Sequence, residues 1–255
     1  VMRLDSFLFE NGYYNSRNKA SEAIKRGEVF VNEKAILKPS FEINGDEKIE
    51  ISEREKPFVS LGGYKLSKAV KDFSPEISGL TFVDAGASTG GFTDCLLRNG
   101  AKRVFCVDVG VGLLDESLKN NPKVTVMDST NMRFLTANNF DCVIDAAVAD
   151  CSFISLEYIL PSLFNIVKEG GYVISLIKPQ FELNKKTRLK NGIVRDEKTR
   201  AEVIKRLYDF AKDLGFSVAG FTSAPEVQDK NKEYLFWLVK GKAEEIPFRK
   251  ILENI

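Results

Sequence analysis

Thr81-Phe82-Val83-Asp84-Ala85-Gly86-Ala87-Ser88-Thr89-Gly90-Gly91-Phe92 is the stretch on which the fold turns. An apolar, β-favouring run meets an acidic residue, breaks at a glycine-rich turn, and passes into the amphipathic run Phe92 to Arg98. Glycines at such a turn let the backbone approach a ligand, and the helix that follows offers free N–H groups. Working outward, Arg103 to Asp108, Val124 to Met127, Cys142 to Val148 and Tyr172 to Ile177 read as further strands, with helical patterning such as Glu157 to Val167 between them. Strands alternating with helices predict a parallel sheet covered on both faces, with ligands at the carboxyl ends of its strands. Phe216 to Phe221 and Tyr234 to Val239 are joined instead by a polar segment without helical pattern, which predicts an antiparallel edge hairpin.

The first 52 residues read as a separate small α+β unit. Leu4, Phe7 and Leu8 recur at helical spacing, Ser16 caps a second helix that stops at Gly27, and Glu28 to Asn32 and Lys48 to Ser52 are short strands. Charged residues 53–58, with Pro57, form the expected linker, and residues 59–255 the larger domain. No apolar signal core or membrane-length run is present, and Cys95, Cys106, Cys142 and Cys151 form no C-x-x-C pair, so buried reduced thiols in a cytoplasmic protein are expected.

The chain has 255 residues, 37 basic, 36 acidic and no histidine. Zero histidine excludes Ser-His-Asp and Cys-His catalysis and His-ligated metal sites, so no metal is expected and proton transfer falls to Lys, Asp, Glu, Tyr or Cys. It also removes the hydrolase reading of Gly86-Ala87-Ser88-Thr89-Gly90, which matches a nucleophile elbow but lacks the base that an elbow needs. Asp84, Asp108 and Asp128 each end one of three successive strands, a pattern that suits the hydroxyls of a nucleoside. The dinucleotide fingerprint is broken by Ser88 and no Walker motif is present, which favours S-adenosyl-L-methionine over a phosphate-bearing cofactor. At the same edge, Asp150 follows the fourth strand and Lys178 the fifth. Lys65 and Glu233 complete a candidate set, although spacing alone does not select them.

Asp84 to Gly91 (DAGASTGG), Asp108 to Gly110, Asp150 to Leu156 (DCSFISL) and Lys178 to Glu182 (KPQFE) together resemble the hemolysin-named TlyA family, FtsJ-like ribosomal RNA 2′-O-methyltransferases. The resemblance spans essentially the whole chain. It implies a Rossmann-like methyltransferase sheet, an S-four-like RNA-binding domain over residues 1–52, and a Lys-Asp-Lys-Glu tetrad at Lys65, Asp150, Lys178 and Glu233. It implies S-adenosyl-L-methionine bound by Asp84, Gly86, Ala87, Ser88, Thr89, Gly90, Gly91, Phe92, Asp108, Val109, Asp128 and Asp150. The implied substrate is cytidine in ribosomal RNA, presented as RNA or as ribosomal subunits, with no membrane partner. The sequence departs from the family pattern where Ser60-Leu61-Gly62-Gly63 lacks the usual arginine.

Net charge is only +1, so RNA contacts must be local. Arg3, Arg17, Lys19, Lys25 and Arg26 are the candidates in the first unit. Leu183 to Arg206 carries nine basic and three acidic residues and reads as a basic loop beside Lys178, with Lys185, Lys186, Arg188 and Lys190 foremost. Competing readings are an RNA-binding protein on an inactive methyltransferase fold, a small-molecule or protein methyltransferase, and a true cytolysin.

Overall fold

The computed structural model describes residues 1–51, 58–183 and 189–255; the expected linker residues 53–57 and the candidates Lys185, Lys186 and Arg188 lie outside the described residues. The first unit runs β1 (Met2–Arg3), α1 (Leu4–Glu10), α2 (Arg17–Lys25), β2 (Val29–Val31), β3 (Lys34–Ala35), β4 (Glu42–Ile43) and β5 (Ile49–Ile51). The Ser16 side chain accepts the Lys19 N–H at 3.2 Å, and Gly27 ends α2 with a φ of +75°. Strand β2 is the centre of an antiparallel sheet ordered β3-β2-β5, while β1 pairs with β4. Leu4, Leu8, Ala23, Ile24, Val29 and Ile43 close a core of their own beneath the two helices.

The second unit runs α3 (Leu61–Phe73), β6 (Thr81–Ala85), α4 (Gly91–Arg98), β7 (Arg103–Val107), α5 (Glu116–Lys119), β8 (Val124–Met127), β9 (Ile144–Ala149), α6 (Leu160–Ile166), β10 (Val167–Ile177), α7 (Pro179–Glu182), α8 (Glu197–Leu214), β11 (Phe216–Ser223), β12 (Tyr234–Lys240) and α9 (Phe248–Leu252). Its seven strands lie in the order β11-β12-β10-β9-β6-β7-β8. Strands β8, β7, β6, β9 and β10 are mutually parallel, and β12 runs antiparallel to both β10 and β11, so the expected α/β sheet with its antiparallel edge hairpin is present. Helices α6 and α8 cover one face and α3 and α4 the other, which is why β6, β9 and β10 read as nearly continuous apolar runs. Connections leave β6 toward β7 on one side, whereas β9 lies on its other side. That reversal opens a crevice between the carboxyl ends of β6 and β9.

Two expectations need correction, and one element is new. Residues 197–206 of the supposed basic loop belong to α8, whose N-cap Asp196 accepts the Thr199 N–H at 2.7 Å and whose Val203, Ile204, Leu207 and Ala211 are buried at helical spacing. Cys142 is exposed, while Cys95 and Cys106 are buried and Cys151 partly so. Helix α3 has no counterpart in the sequence reading. Its Gly62 and Gly63 serve a close helix approach: a Cβ on Gly91 would stand 2.7 Å from the Gly63 nitrogen and 3.0 Å from the Gly62 Cα.

Candidate active site

The crevice at the β6–β9 switch contains a cavity of about 490 Å³. Among its walls are Gly86, Ser88, Asp108, Val109 and Asp150 from the expected cofactor set, and also Leu113, Met132, Cys151, Ser152, Phe153 and Ile159, which spacing did not pick out. Asp84, Ala87, Thr89, Gly90, Gly91, Phe92 and Asp128 do not line it. The turn is packed tightly against the end of β9: Gly86 has a φ of +79°, and a Cβ there would stand 3.1 Å from the Asp150 carbonyl oxygen. Asp108 accepts the Ser88 N–H on one carboxylate oxygen and the Gly110 N–H on the other, both at 2.8 Å, and Asp128 accepts the Gly112 N–H at 2.8 Å. Thus Asp108 ties the glycine turn to the loop after β7.

Asp84 lies beneath the turn with no solvent exposure. The Thr93 hydroxyl donates to its Oδ2 at 2.6 Å, and its Oδ1 has no hydrogen-bond partner among the described residues. Burial pushes this carboxyl up to about 7, against the Thr93 bond and with repulsion from Asp150 and Asp108 adding to the rise. Burial likewise raises the Cys106 and Cys151 thiols to about 12, which leaves them protonated and poorly nucleophilic.

The four tetrad candidates form two ion pairs. Lys178, at the end of β10 and 9% exposed, places its Nζ 2.7 Å from Asp150 Oδ1. The angles there are those of an ion pair; the directed hydrogen bond goes to Ser152 Oγ, also at 2.7 Å, with a longer one to the Asp150 carbonyl at 3.5 Å. Lys65 Nζ lies 2.5 Å from Glu233 Oε2, although the two residues stand 168 positions apart. The β10–β12 register pairs Ile177 with Tyr234, so one step on, Glu233 stands opposite Lys178. The start of α3 closes the group: a Cβ on Gly62 would be 3.6 Å from Asp150 Oδ2, one helical turn before Lys65.

Glu182, at the end of the Lys178-Pro179-Gln180-Phe181-Glu182 run, joins the loops that follow β9 and β10. It is buried and accepts from Ser155 Oγ at 2.6 Å and from the Leu156 N–H at 2.8 Å, with Arg206 3.2 Å away. Burial raises its carboxyl despite those bonds. Between the loops, Phe153 is 89% exposed with a φ of +62°, and its ring centroid is 4.7 Å from that of Phe181. An exposed phenylalanine in the left-handed region, at a cavity wall, is a strained arrangement of the kind found at ligand sites.

In the first unit, Arg3 and Arg17 both bind the buried Asp5, at 2.7 and 3.2 Å, while their own side chains remain about half exposed. The Arg3 bond holds the Asp5 carboxyl down to about 2 against the effect of burial, with Arg17 contributing further. Lys19 and Lys25 are exposed on α2, and exposed Arg26 pairs with Glu28. Lys190 begins a short turn through Gly192. Among the described residues no cluster of potential metal ligands occurs, and no helix is long and apolar enough to cross a membrane.

A mostly parallel sheet with a carboxylate- and lysine-lined crevice at its switch point, carrying a small helix–sheet unit in front, defines a methyltransferase-fold protein with an appended domain. The FtsJ-like methyltransferase family matches residues 58–241 and the S4 domain family residues 2–49. The chain belongs to the FtsJ-like methyltransferase family, in the group of TlyA-named proteins that carry this S4 domain. It is 37% identical to the 16S/23S rRNA (cytidine-2′-O)-methyltransferase TlyA of Mycobacterium tuberculosis, covering 92% of this chain and 89% of that protein. It is also 37% identical to Hemolysin A of Brachyspira hyodysenteriae, covering 92% and 98%. A solved structure of a hemolysin-designated protein from Streptococcus thermophilus superposes with a TM-score of 0.74 at 34% identity, covering 98% of this chain and 94% of the other.

Proposed function

We propose that this chain methylates the 2′-hydroxyl of cytidine in ribosomal RNA, in the cytoplasm, with S-adenosyl-L-methionine as methyl donor. Residues 1–52 act as the RNA-binding domain, 53–58 as linker and 59–255 as the methyltransferase domain. The observation that carries this reading is the Asp150–Lys178 ion pair at the mouth of the switch-point cavity, with Lys65–Glu233 at the neighbouring strand end. The rRNA (cytidine-2′-O)-methyltransferase activity by which the TlyA relatives are named supports it. So do the exposed guanidinium groups of Arg3 and Arg17, already oriented on Asp5.

The residues present suit the cofactor. Val109, Leu113, Met132 and Ile159 give the cavity apolar walls fit for an adenine. Asp108, whose oxygens each hold one backbone N–H, keeps lone pairs for ribose hydroxyls. Asp150 and the buried Asp84 supply negative charge for a cationic ligand. S-adenosyl-L-methionine supplies an electrophilic methyl group. Lys178 Nζ is the group placed to take the hydroxyl proton, as the neutral amine left once its own proton has passed to solvent, or, as the ammonium, to hold the oxygen anion that forms. Asp150 and Ser152 fix that ammonium in place, and Glu233 fixes Lys65. Much of the rate then comes from alignment of the oxygen with the methyl group.

The test is transfer of radiolabelled methyl to ribosomal subunits and to naked ribosomal RNA, with the product mapped to ribose. Label at cytidine 2′-oxygens is expected, together with a steep loss of RNA affinity as salt rises. Absence of ribose label on either substrate would sink the reading.

Phe153 adds a specific prediction. Its exposed ring beside Phe181 offers a stacking face to a base drawn out of its helix, an interaction worth about 1–3 kcal/mol by alanine substitution. Phe153→Ala should therefore lower kcat/KM for RNA about 10- to 100-fold with cofactor binding unchanged. Equal activity would remove Phe153 from the site.

A further inference from the structure

The two ion pairs are held by different parts of the molecule. Asp150 and Lys178 directly follow β9 and β10, at the carboxyl edge of the central sheet. Lys65 and Glu233 each stand on a segment that the S4 domain touches. Leu61, the first residue of α3, is seated on Gly27: a Cβ at Gly27 would fall 2.0 Å from Leu61 Cδ2, with Leu37 beside it at 3.4 Å. One turn on, next to Lys65, Tyr64 meets Phe30 of β2 edge-on at 6.4 Å and packs on Phe58 at 5.1 Å. On the other partner's side, β3 forms a parallel bridge to the segment joining β11 to β12, through Ala35 and Val227. The Ala35 N–H donates to the Glu226 carbonyl at 2.8 Å and the Gln228 N–H to the Ala35 carbonyl at 3.3 Å. Lys34 pairs with Glu226 at 2.9 Å, and Lys232 joins them at 3.3 Å, immediately before Glu233.

We infer that the S4 domain is a working part of the active site: its docking through Leu61 and Glu226 sets the Lys65–Glu233 pair against Asp150–Lys178. Leu61 and Glu226 are positioning residues, acting through Lys65 and Glu233. Glycine at position 27 follows from the same contact, because both its left-handed backbone and the Leu61 side chain exclude a larger residue. Leu61 thus serves as an apolar anchor between the domains.

This inference rests on the proposed methyl transfer, and the experiment separates the two. In the full chain, Lys34→Glu breaks an exposed pair without touching a core. It should lower kcat on ribosomal subunits about tenfold while KM for RNA and cofactor Kd stay within about twofold. Lys34→Glu combined with Glu226→Lys should restore kcat to within about threefold of wild type, and Leu61→Ala should reproduce the kcat loss. A loss confined to KM, or a folded double variant without rescue, would overturn the inference. Amide hydrogen exchange reads the docking without activity: Lys34→Glu should speed exchange at 61–66 and 226–235 and leave 149–152 and 176–178 unchanged. Unchanged exchange at the first two segments overturns the inference too. A wild-type chain that transfers no methyl defeats the functional reading alone, and the exchange result then decides the docking.

Discussion

Replacing Lys178 with alanine should lower kcat for methyl transfer by at least a thousandfold while S-adenosyl-L-methionine still binds. The nitrogen at this position reaches both Asp150 and Ser152, at 2.7 Å each, and it is nearly closed off from solvent. A ribose hydroxyl attacks slowly until its proton is shared, and a positioned acid–base group is worth about 10²–10⁴ in rate, before any loss of alignment is added. In the proposed site, cofactor binding would draw mainly on Asp108 and the apolar walls, which the substitution leaves alone. Lys178→Arg separates two roles. An arginine keeps the charge, yet it cannot give up its proton, and its planar fork does not fit the two-point seat between Asp150 and Ser152. Activity below about 1% of wild type is expected for it as well. Assayed at saturating RNA with cofactor affinity measured separately, turnover of Lys178→Ala within tenfold of wild type would end the assignment.

The strands and the Asp150–Lys178 pair were legible in the sequence for the same reason. Strands of a sheet buried on both faces read as apolar runs such as Cys142 to Val148, and the polar residue that ends each run marks the functional edge. What local pattern could not disclose depends on contacts distant in sequence. Lys65 and Glu233 meet across 168 positions, so only family resemblance could pair them. Helix α8 did carry its own marks, Asp196 as cap and Val203, Ile204 and Leu207 as an apolar stripe, but the positive charge of the same stretch drew the reading toward a loop. In the structure that charge is partly spent within the molecule: Arg200 is buried and donates to the Tyr234 hydroxyl, Arg206 reaches Glu182, and Lys205 pairs with Asp209. Leu61 shows the opposite case. A departure from the family pattern reads as a missing RNA or cofactor contact, whereas in three dimensions it is the apolar anchor on Gly27.

Asp84→Asn should make the ligand-free chain more stable at pH 8 and a poorer binder of its cofactor. Asp84 is fully buried with hydrogen bonding from Thr93 alone, and its carboxyl lies near 7 rather than at the 3.8 of an exposed aspartate. The native state thus binds this proton more tightly than the unfolded chain does. Below about pH 4 both states hold the proton and nothing is lost. Between about 4 and 7 the unfolded chain releases it while the native state keeps it, so stability falls with rising pH; above 7 the loss is complete. The rise from 3.8 to about 7 bounds the penalty at about 4 kcal/mol. In a chain of this size that corresponds to a melting temperature about 5 to 10 °C higher for the amide variant at pH 8, with the difference vanishing near pH 4. A buried, half-satisfied carboxylate is costly to keep unless a ligand recovers the cost. Beside the switch-point cavity, with Asp150 and Asp108 adding to the negative potential, a cation such as the proposed sulfonium cofactor would recover it. Cofactor affinity of the wild type should rise about tenfold or more from pH 6 to 8 as Asp84 ionises, and that dependence should disappear in Asp84→Asn. Calorimetric melting and cofactor titration across this range check both halves. An amide variant that is no more stable at pH 8, or a cofactor affinity equally flat in both proteins, would remove Asp84 from the account.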